Sequence, residues 1–172
     1  MIEGFLTESE CENLIILSES KGYEEAKVGL SSGAKLMKNI RNNYRIKYLD
    51  SNLAEKYWLR LKPFCPSKLD DWEAIGLYEE FRFYRYELNQ RFKRHIDGRI
   101  KRSELEESRI TFMIYLNEDY EGGSTQFDEV EIKPQMGMAL CFIHEEKHEG
   151  CPVKEGEKYI LRTDVMYRKE RN

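Results

Sequence analysis

Apolar positions recur at helical spacing along the first third of the chain and at strand spacing along the remainder. Thr7-Glu8-Ser9-Glu10 has the form of a capping box, in which the Thr7 hydroxyl accepts from the Glu10 backbone and the Glu10 carboxylate reaches back. Leu14, Ile15 and Leu17 follow as one apolar face, and Lys21-Gly22 supplies a cation and a left-handed turn as a stop. A helix is therefore predicted over about Glu8 to Ser20. A second is predicted from Ser51, capped by Asp50, where Leu53, Tyr57 and Leu61 share a face until Pro63 intervenes. Between them, Gly29-Leu30-Ser31-Ser32-Gly33 reads as a polar loop. The stretch from Lys38 to Arg45 reads as a solvated loop and a short strand, whose clustered cations could instead line the mouth of a site.

From Gly76 the period changes to two. Phe81, Phe83 and Arg85 alternate with Arg82, Tyr84 and Tyr86. Further strands are predicted at Arg109 to Leu116, Thr125 to Ile132, Met138 to Ile143 and Tyr159 to Tyr167. Gly122-Gly123, Pro134, Gly137, Pro152 and Gly156 punctuate the links. The charged segment from Arg99 to Ser108 reads as a mobile surface loop, either a lid or a plain connector. Many short strands after a helical start imply an α+β chain with a mainly β core: two sheets backed by N-terminal helices. One domain over residues 1–172 is expected, with helical support to about residue 75 and the β core from about residue 76.

Composition narrows the partners. A net charge of −4 and a pI near 5.6 offer no general electrostatic grip on nucleic acid, so a protein, peptide or small-molecule partner is expected. The chain lacks a long apolar run and a basic-then-apolar start, which implies a soluble, unexported, cytoplasmic protein with no membrane partner. Cys11, Cys65, Cys141 and Cys151 form no C-x-x-C pair and read as reduced thiols.

The candidate chemistry lies at His95-Ile96-Asp97. Residues two apart on a strand project to one side, so His95 and Asp97 could share a metal ion. A third ligand from a distant strand would complete one face of an octahedron, the arrangement of non-haem Fe(II) oxygenases. His148 is the candidate, with His144 in competition four residues earlier. By itself the motif decides little, since His144-Glu145-Glu146 has the same spacing.

The wider pattern is more specific. Arg85-Tyr86 and Gln90-Arg91-Phe92 precede His95-x-Asp97, followed by Tyr115-Leu116-Asn117 and Gly122-Gly123-x-Thr125-x-Phe127. Pro134-x-x-Gly137, Phe142, His148, Pro152-Val153, Gly156, Lys158 and the closing segment Tyr159 to Arg168 come next. In this order, from about Phe81 to Arg168, the chain resembles the prolyl 4-hydroxylase-like branch of the Fe(II)/2-oxoglutarate-dependent dioxygenases, in a small free-standing form. A looser match extends over the N-terminal helices and Arg41-Asn42-Asn43. Asn89 stands where family members often have glycine, and asparagine also tolerates left-handed geometry.

The resemblance implies a double-stranded β-helix, a jelly-roll of cupin-like form. It implies His95, Asp97 and His148 as Fe(II) ligands, with His144 in a supporting role. 2-Oxoglutarate and O2 would be co-substrates, with ascorbate a further candidate. Lys158 would take the far carboxylate of 2-oxoglutarate, helped by the Tyr86 hydroxyl. Arg162 shares a strand face with Lys158 and is a secondary co-substrate ligand, unless Asp164 is its partner. The implied reaction hydroxylates a C–H bond, of a prolyl residue in a protein or peptide or of a small metabolite, with release of succinate and CO2. The presence of Asp97 favours hydroxylation over halide transfer. Two alternatives stand beside it: a non-catalytic metal-binding barrel acting as sensor or interaction module, and a nucleic-acid demethylase suggested by Arg162 and Arg168.

Overall fold

Thr7 caps the first helix, Glu8–Lys21, and the reciprocal bonds with Glu10 close the expected box. In the second helix, Ser51–Leu61, the Asp50 carboxylate accepts from the Leu53 backbone at 2.9 Å. Tyr57 and Leu61 turn inward from it, each side chain contributing roughly 2 kcal/mol by leaving water. Pro63 ends this helix through a short 3-10 turn, Lys62–Phe64. The computed structural model describes residues 1–30, 33–35 and 37–170. Of the polar loop expected at Gly29 to Gly33, Ser31 and Ser32 lie outside the described residues. Its flanks, Val28–Leu30 and Gly33–Lys35, pair as an antiparallel hairpin.

The β part is a jelly-roll built mainly of two unequal sheets. In the larger, the main path runs Glu24–Glu25, Tyr44–Leu49, Glu80–Tyr86, Lys158–Lys169, Glu106–Tyr115 and Ala139–Ile143, each antiparallel to its neighbour. The strand Trp72–Leu77 pairs with the far half of Lys158–Lys169. The smaller sheet is ordered Glu131–Ile132, Thr125–Gln126, His148–Gly150, Phe92–His95.

Strand alternation sorts the larger sheet into two faces. Phe81, Phe83, Phe112, Ile114 and Leu161 pack with Phe5, Leu14, Tyr57 and Leu61 of the helical layer. Tyr84, Tyr86, Met113, Tyr115 and Ile160 point the other way, toward the smaller sheet. The register places Lys158 opposite Tyr86, Ile160 opposite Tyr84 and Met113 opposite Arg162, so the inward face is one continuous row.

Several expectations change. The segment from Arg99 to Ser108 is a hairpin limb: Lys101–Ser103 pairs with the start of Glu106–Tyr115. Arg99 is tied to Glu107 and Glu145, and Arg102 to Glu79 and Glu106. The strand expected from Thr125 to Ile132 is broken by a turn in which the Phe127 amide donates to the Val130 carbonyl at 2.8 Å. Trp72–Leu77 forms a strand inside the region read as helical support. Among the described residues, no helix is long and apolar enough to cross a membrane.

Candidate metal centre

His95 and His148 are directly opposed across the antiparallel pair of Phe92–His95 and His148–Gly150, which puts both imidazoles on the face toward the larger sheet. Their ring centroids lie 4.3 Å apart. The strand ends at His95. Asp97 follows in irregular backbone, held by its amide donating to the His144 carbonyl at 3.0 Å. Its Oδ1 lies 3.5 Å from His95 Nε2 and its Oδ2 lies 3.8 Å from His148 Nε2. One donor atom from each residue falls within 4.8 Å of the others.

Both imidazoles keep Nδ1 on a backbone carbonyl two residues earlier, His95 on Lys93 at 2.8 Å and His148 on Glu146 at 2.9 Å. That contact fixes the tautomer and leaves each Nε2 lone pair facing inward. His95 Nε2 is buried with no hydrogen-bond partner, a donor set that fits a divalent first-row ion. Burial drives the His148 pKa down to about 4, favouring the neutral ligand form. Burial works against ionised Asp97, but Arg162 and the histidines outweigh it and hold the carboxyl well below the usual range.

Behind Asp97 stands a polar network. Arg162 Nη1 donates to Asp97 Oδ1 at 2.8 Å, and the Thr111 hydroxyl donates to Oδ2 at 2.6 Å. Arg162 Nη2 also reaches Asp164 Oδ1 at 3.4 Å, and Arg82 pairs with the other Asp164 oxygen. His144 is not among the converging donors. It is buried between Ser108 Oγ at 2.9 Å and Thr111 Oγ1 at 3.0 Å, a supporting position.

His95 and His148 face a small cavity of about 40 Å³ between the sheets, lined also by Tyr86, Lys158 and Arg162. Lys158 is fully inside. Its ammonium donates to the Gly123 carbonyl and lies 5.5 Å and 5.3 Å from the ring centres of Tyr86 and Tyr115. Among the described residues it has no carboxylate partner, and burial pulls its pKa down to about 7. Gly123 permits that approach: at φ 63° a Cβ would crowd Lys158 Cδ and Tyr120. Asn89 adopts φ 63°, the left-handed geometry expected of it.

Of the residues named from the sequence, Tyr86, His95, His148 and Lys158 share this cavity, while Asp97 lines the adjoining groove. Arg162 lines it too, but its guanidinium is engaged by Asp97 and Asp164. Arg168 pairs with Glu106 at 3.3 Å and is not among the residues lining the cavity. Thr111 was missed; its signal was a polar residue at an inward position of an apolar strand. Beside the site, Arg41 was legible only as part of the cationic stretch Lys38 to Arg45, and Arg82 and Tyr84 only as members of a strand alternation.

A jelly-roll that gathers two histidines and a carboxylate beside a buried, carboxylate-free lysine has the make-up of a non-haem iron oxygenase using a keto-acid co-substrate. Residues 81–163, just under half of the chain, match the model of the 2OG-Fe(II) oxygenase superfamily. It is 24% identical to prolyl 4-hydroxylase 2 of Arabidopsis thaliana over 91% of this chain and 63% of that protein. The chain therefore spans less than two thirds of that relative. Among solved structures it resembles the viral collagen prolyl hydroxylase of Paramecium Bursaria Chlorella virus-1 in its 2OG complex. The TM-score is 0.70 and the identity 25%, over 97% of this chain and 94% of that one. A prolyl hydroxylase from Trichoplax adhaerens, bound to a hypoxia inducible factor peptide fragment, shares the fold with a TM-score of 0.72 at 20% identity, over 95% and 81% of the two chains.

Proposed function

We propose that the chain is an Fe(II)- and 2-oxoglutarate-dependent dioxygenase that hydroxylates a C–H bond of a prolyl residue in a protein or peptide, releasing succinate and CO2. The observation that carries this is the placement of Lys158 Nζ, a buried cation with no carboxylate partner among the described residues, in the same cavity as His95 and His148, two of the three converging donors. His95, Asp97 and His148 would hold iron, which when bound supplies dioxygen activation coupled to oxidative decarboxylation of the keto acid. Lys158 binds the far carboxylate through a charge-assisted bond, strong in so dry a wall. Tyr86, its partner in register, presents its ring to the ammonium and stands in the same wall. Arg162 and Thr111 orient Asp97, and the aromatic lining of Phe92 and Phe142 excludes water.

The prolyl substrate is supported by the plant, viral and Trichoplax relatives, which are named as prolyl hydroxylases. A cytoplasmic setting is supported by four unpaired cysteines. The test is succinate formation from 2-oxoglutarate with Fe(II), across a panel of proline-containing peptides. Turnover by wild type and its loss in His95→Ala and Lys158→Ala are expected. Folded, iron-loaded wild type that neither binds nor decarboxylates 2-oxoglutarate would overturn the reading.

A further inference from the structure

A second groove shares Tyr84, Phe92, His95 and Arg162 with the cavity that holds Lys158 and opens outward past Asp97, with a volume of about 510 Å³. Its walls carry Lys27, Arg41, Arg45, Arg82, Arg99 and Arg162 against the single carboxylate of Asp97. This concentration stands on a chain whose net charge is −4.

Three of those cations are already matched: Arg82 by Asp164, Arg162 by Asp97 and Asp164, Arg99 by Glu107 and Glu145. Lys27, Arg41 and Arg45 form no ion pair among the described residues. Arg41 is 5% exposed, with Nε on Asn43 Oδ1 at 2.6 Å and Nη2 buried without a hydrogen-bond partner. Leaving a buried guanidinium nitrogen unpaired is costly, and an anion arriving from the groove removes that cost. The local field is strong enough to act on Tyr84: burial alone would raise its phenol, yet Arg41, Arg82 and Arg162 bring it down to about 8.

Between the cations the lining is aliphatic, with Ile40, Ile96 and Ile100; Ile96 is 55% exposed. Among the described residues, the two aromatic rings that line the groove, Tyr84 and Phe92, the faces on which a base would stack, are already covered. The Phe92 ring is stacked by His95 at 3.5 Å and approached by the Arg41 guanidinium at 4.5 Å, and Tyr84 is approached by Arg41 at 4.4 Å. Sequence-tolerant nucleic-acid binding depends on such platforms, so the lining favours a peptide with both aliphatic and acidic side chains. The groove's volume falls within the roughly 300–1,000 Å³ of pockets that enclose drug-sized ligands, room for more than one small acid.

We propose that this groove is the substrate channel and that it selects an acidic peptide, with carboxylate side chains flanking the residue delivered to the metal centre and seated on Arg41, Arg45 and Lys27. The proposal rests on the oxygenase reading and names its substrate class.

The test is equilibrium binding to protein loaded with Mn(II) and 2-oxoglutarate. The probes are a fluorescein-labelled peptide with a central proline flanked by glutamates, and its glutamine and lysine counterparts. The glutamate peptide is expected to bind about tenfold or more tightly than the glutamine one. That ratio should fall toward one in the Lys27→Gln/Arg45→Gln double variant, whose side chains are not buried, and in about 0.5 M salt. Equal or absent binding of the three peptides, or an unchanged ratio in the double variant, overturns the proposal. Tighter binding of inorganic phosphate or of a single-stranded oligonucleotide, measured by displacement, also overturns it and assigns the cations to phosphate. Wild type that holds 2-oxoglutarate but shows no peptide preference fails this proposal alone; failure to hold 2-oxoglutarate fails the oxygenase reading.

Discussion

Lys158 sits among the Tyr86 and Tyr115 rings, the Gly123 carbonyl and the nearby Cys151 thiol, with burial lowering its pKa from 10.5 to about 7. Between those values the unfolded chain holds a proton that the native chain has shed, so this group's contribution to stability rises with pH across that window. Under the proposed function, 2-oxoglutarate binding at Lys158 has the opposite sign. A carboxylate stabilises the ammonium, so above about pH 7 binding takes up a proton and affinity falls by up to about tenfold per pH unit. Calorimetric titration of 2-oxoglutarate into Mn(II)-loaded protein at several pH values should show this fall in wild type and a flat profile in Lys158→Arg, whose charge is permanent. Thr111 offers a second residue-scale test, since its hydroxyl orients Asp97 without touching His95 or His148, the other candidate ligands. Thr111→Val should weaken Mn(II) binding by roughly 10–100-fold, and Thr111→Ser should restore most of it, as read by titration of the spin signal.

The helices were legible because local chemistry alone fixes them: Thr7 with Glu10, Asp50 with Leu53, Pro63 as a stop. Asp50→Ala should therefore cost about 1 kcal/mol in thermal or denaturant unfolding. Long strands such as Glu106–Tyr115 and Lys158–Lys169 were legible from alternation and β-branched content, to within a few residues at their ends. Trp72–Leu77 and Lys101–Ser103 were not, because they exist only through pairing with strands far away or across a turn, and nothing in Glu73 or Arg102 announces a partner. The triad was legible as residue types and order. Its convergence depends on the register that sets His148 opposite His95, which the spacing does not reveal. Another such long-range contact is Gly137, at φ 76°, where a Cβ would collide with the Leu6 carbonyl oxygen. The Leu6 amide donates to the Gly137 carbonyl at 3.1 Å, fastening the N-terminal segment to the sheet. Gly137→Ala should destabilise the fold by roughly 2–4 kcal/mol in chemical denaturation, more than the loss of a helix cap.

For the molecule as a whole, the site lies between the two main sheets, so ligands should act as staples. Each ligand supplied at about a hundredfold over its Kd adds roughly 2.7 kcal/mol if it binds only the folded chain. Mn(II) with 2-oxoglutarate should raise Tm by several degrees, roughly 2–4 °C per kcal/mol for a domain of this size, and chelation should reverse the gain. The strand Lys158–Lys169 runs through the middle of this arrangement with two rows of side chains. Tyr159, Leu161 and Val165 answer to the volume of the helical core, while Lys158, Ile160 and Arg162 answer to the chemistry of the cavity. Heredity can edit the two rows separately. A lineage of such chains can trade one reactant for another along the inner row while the outer row, and with it the ability to fold, passes on unaltered.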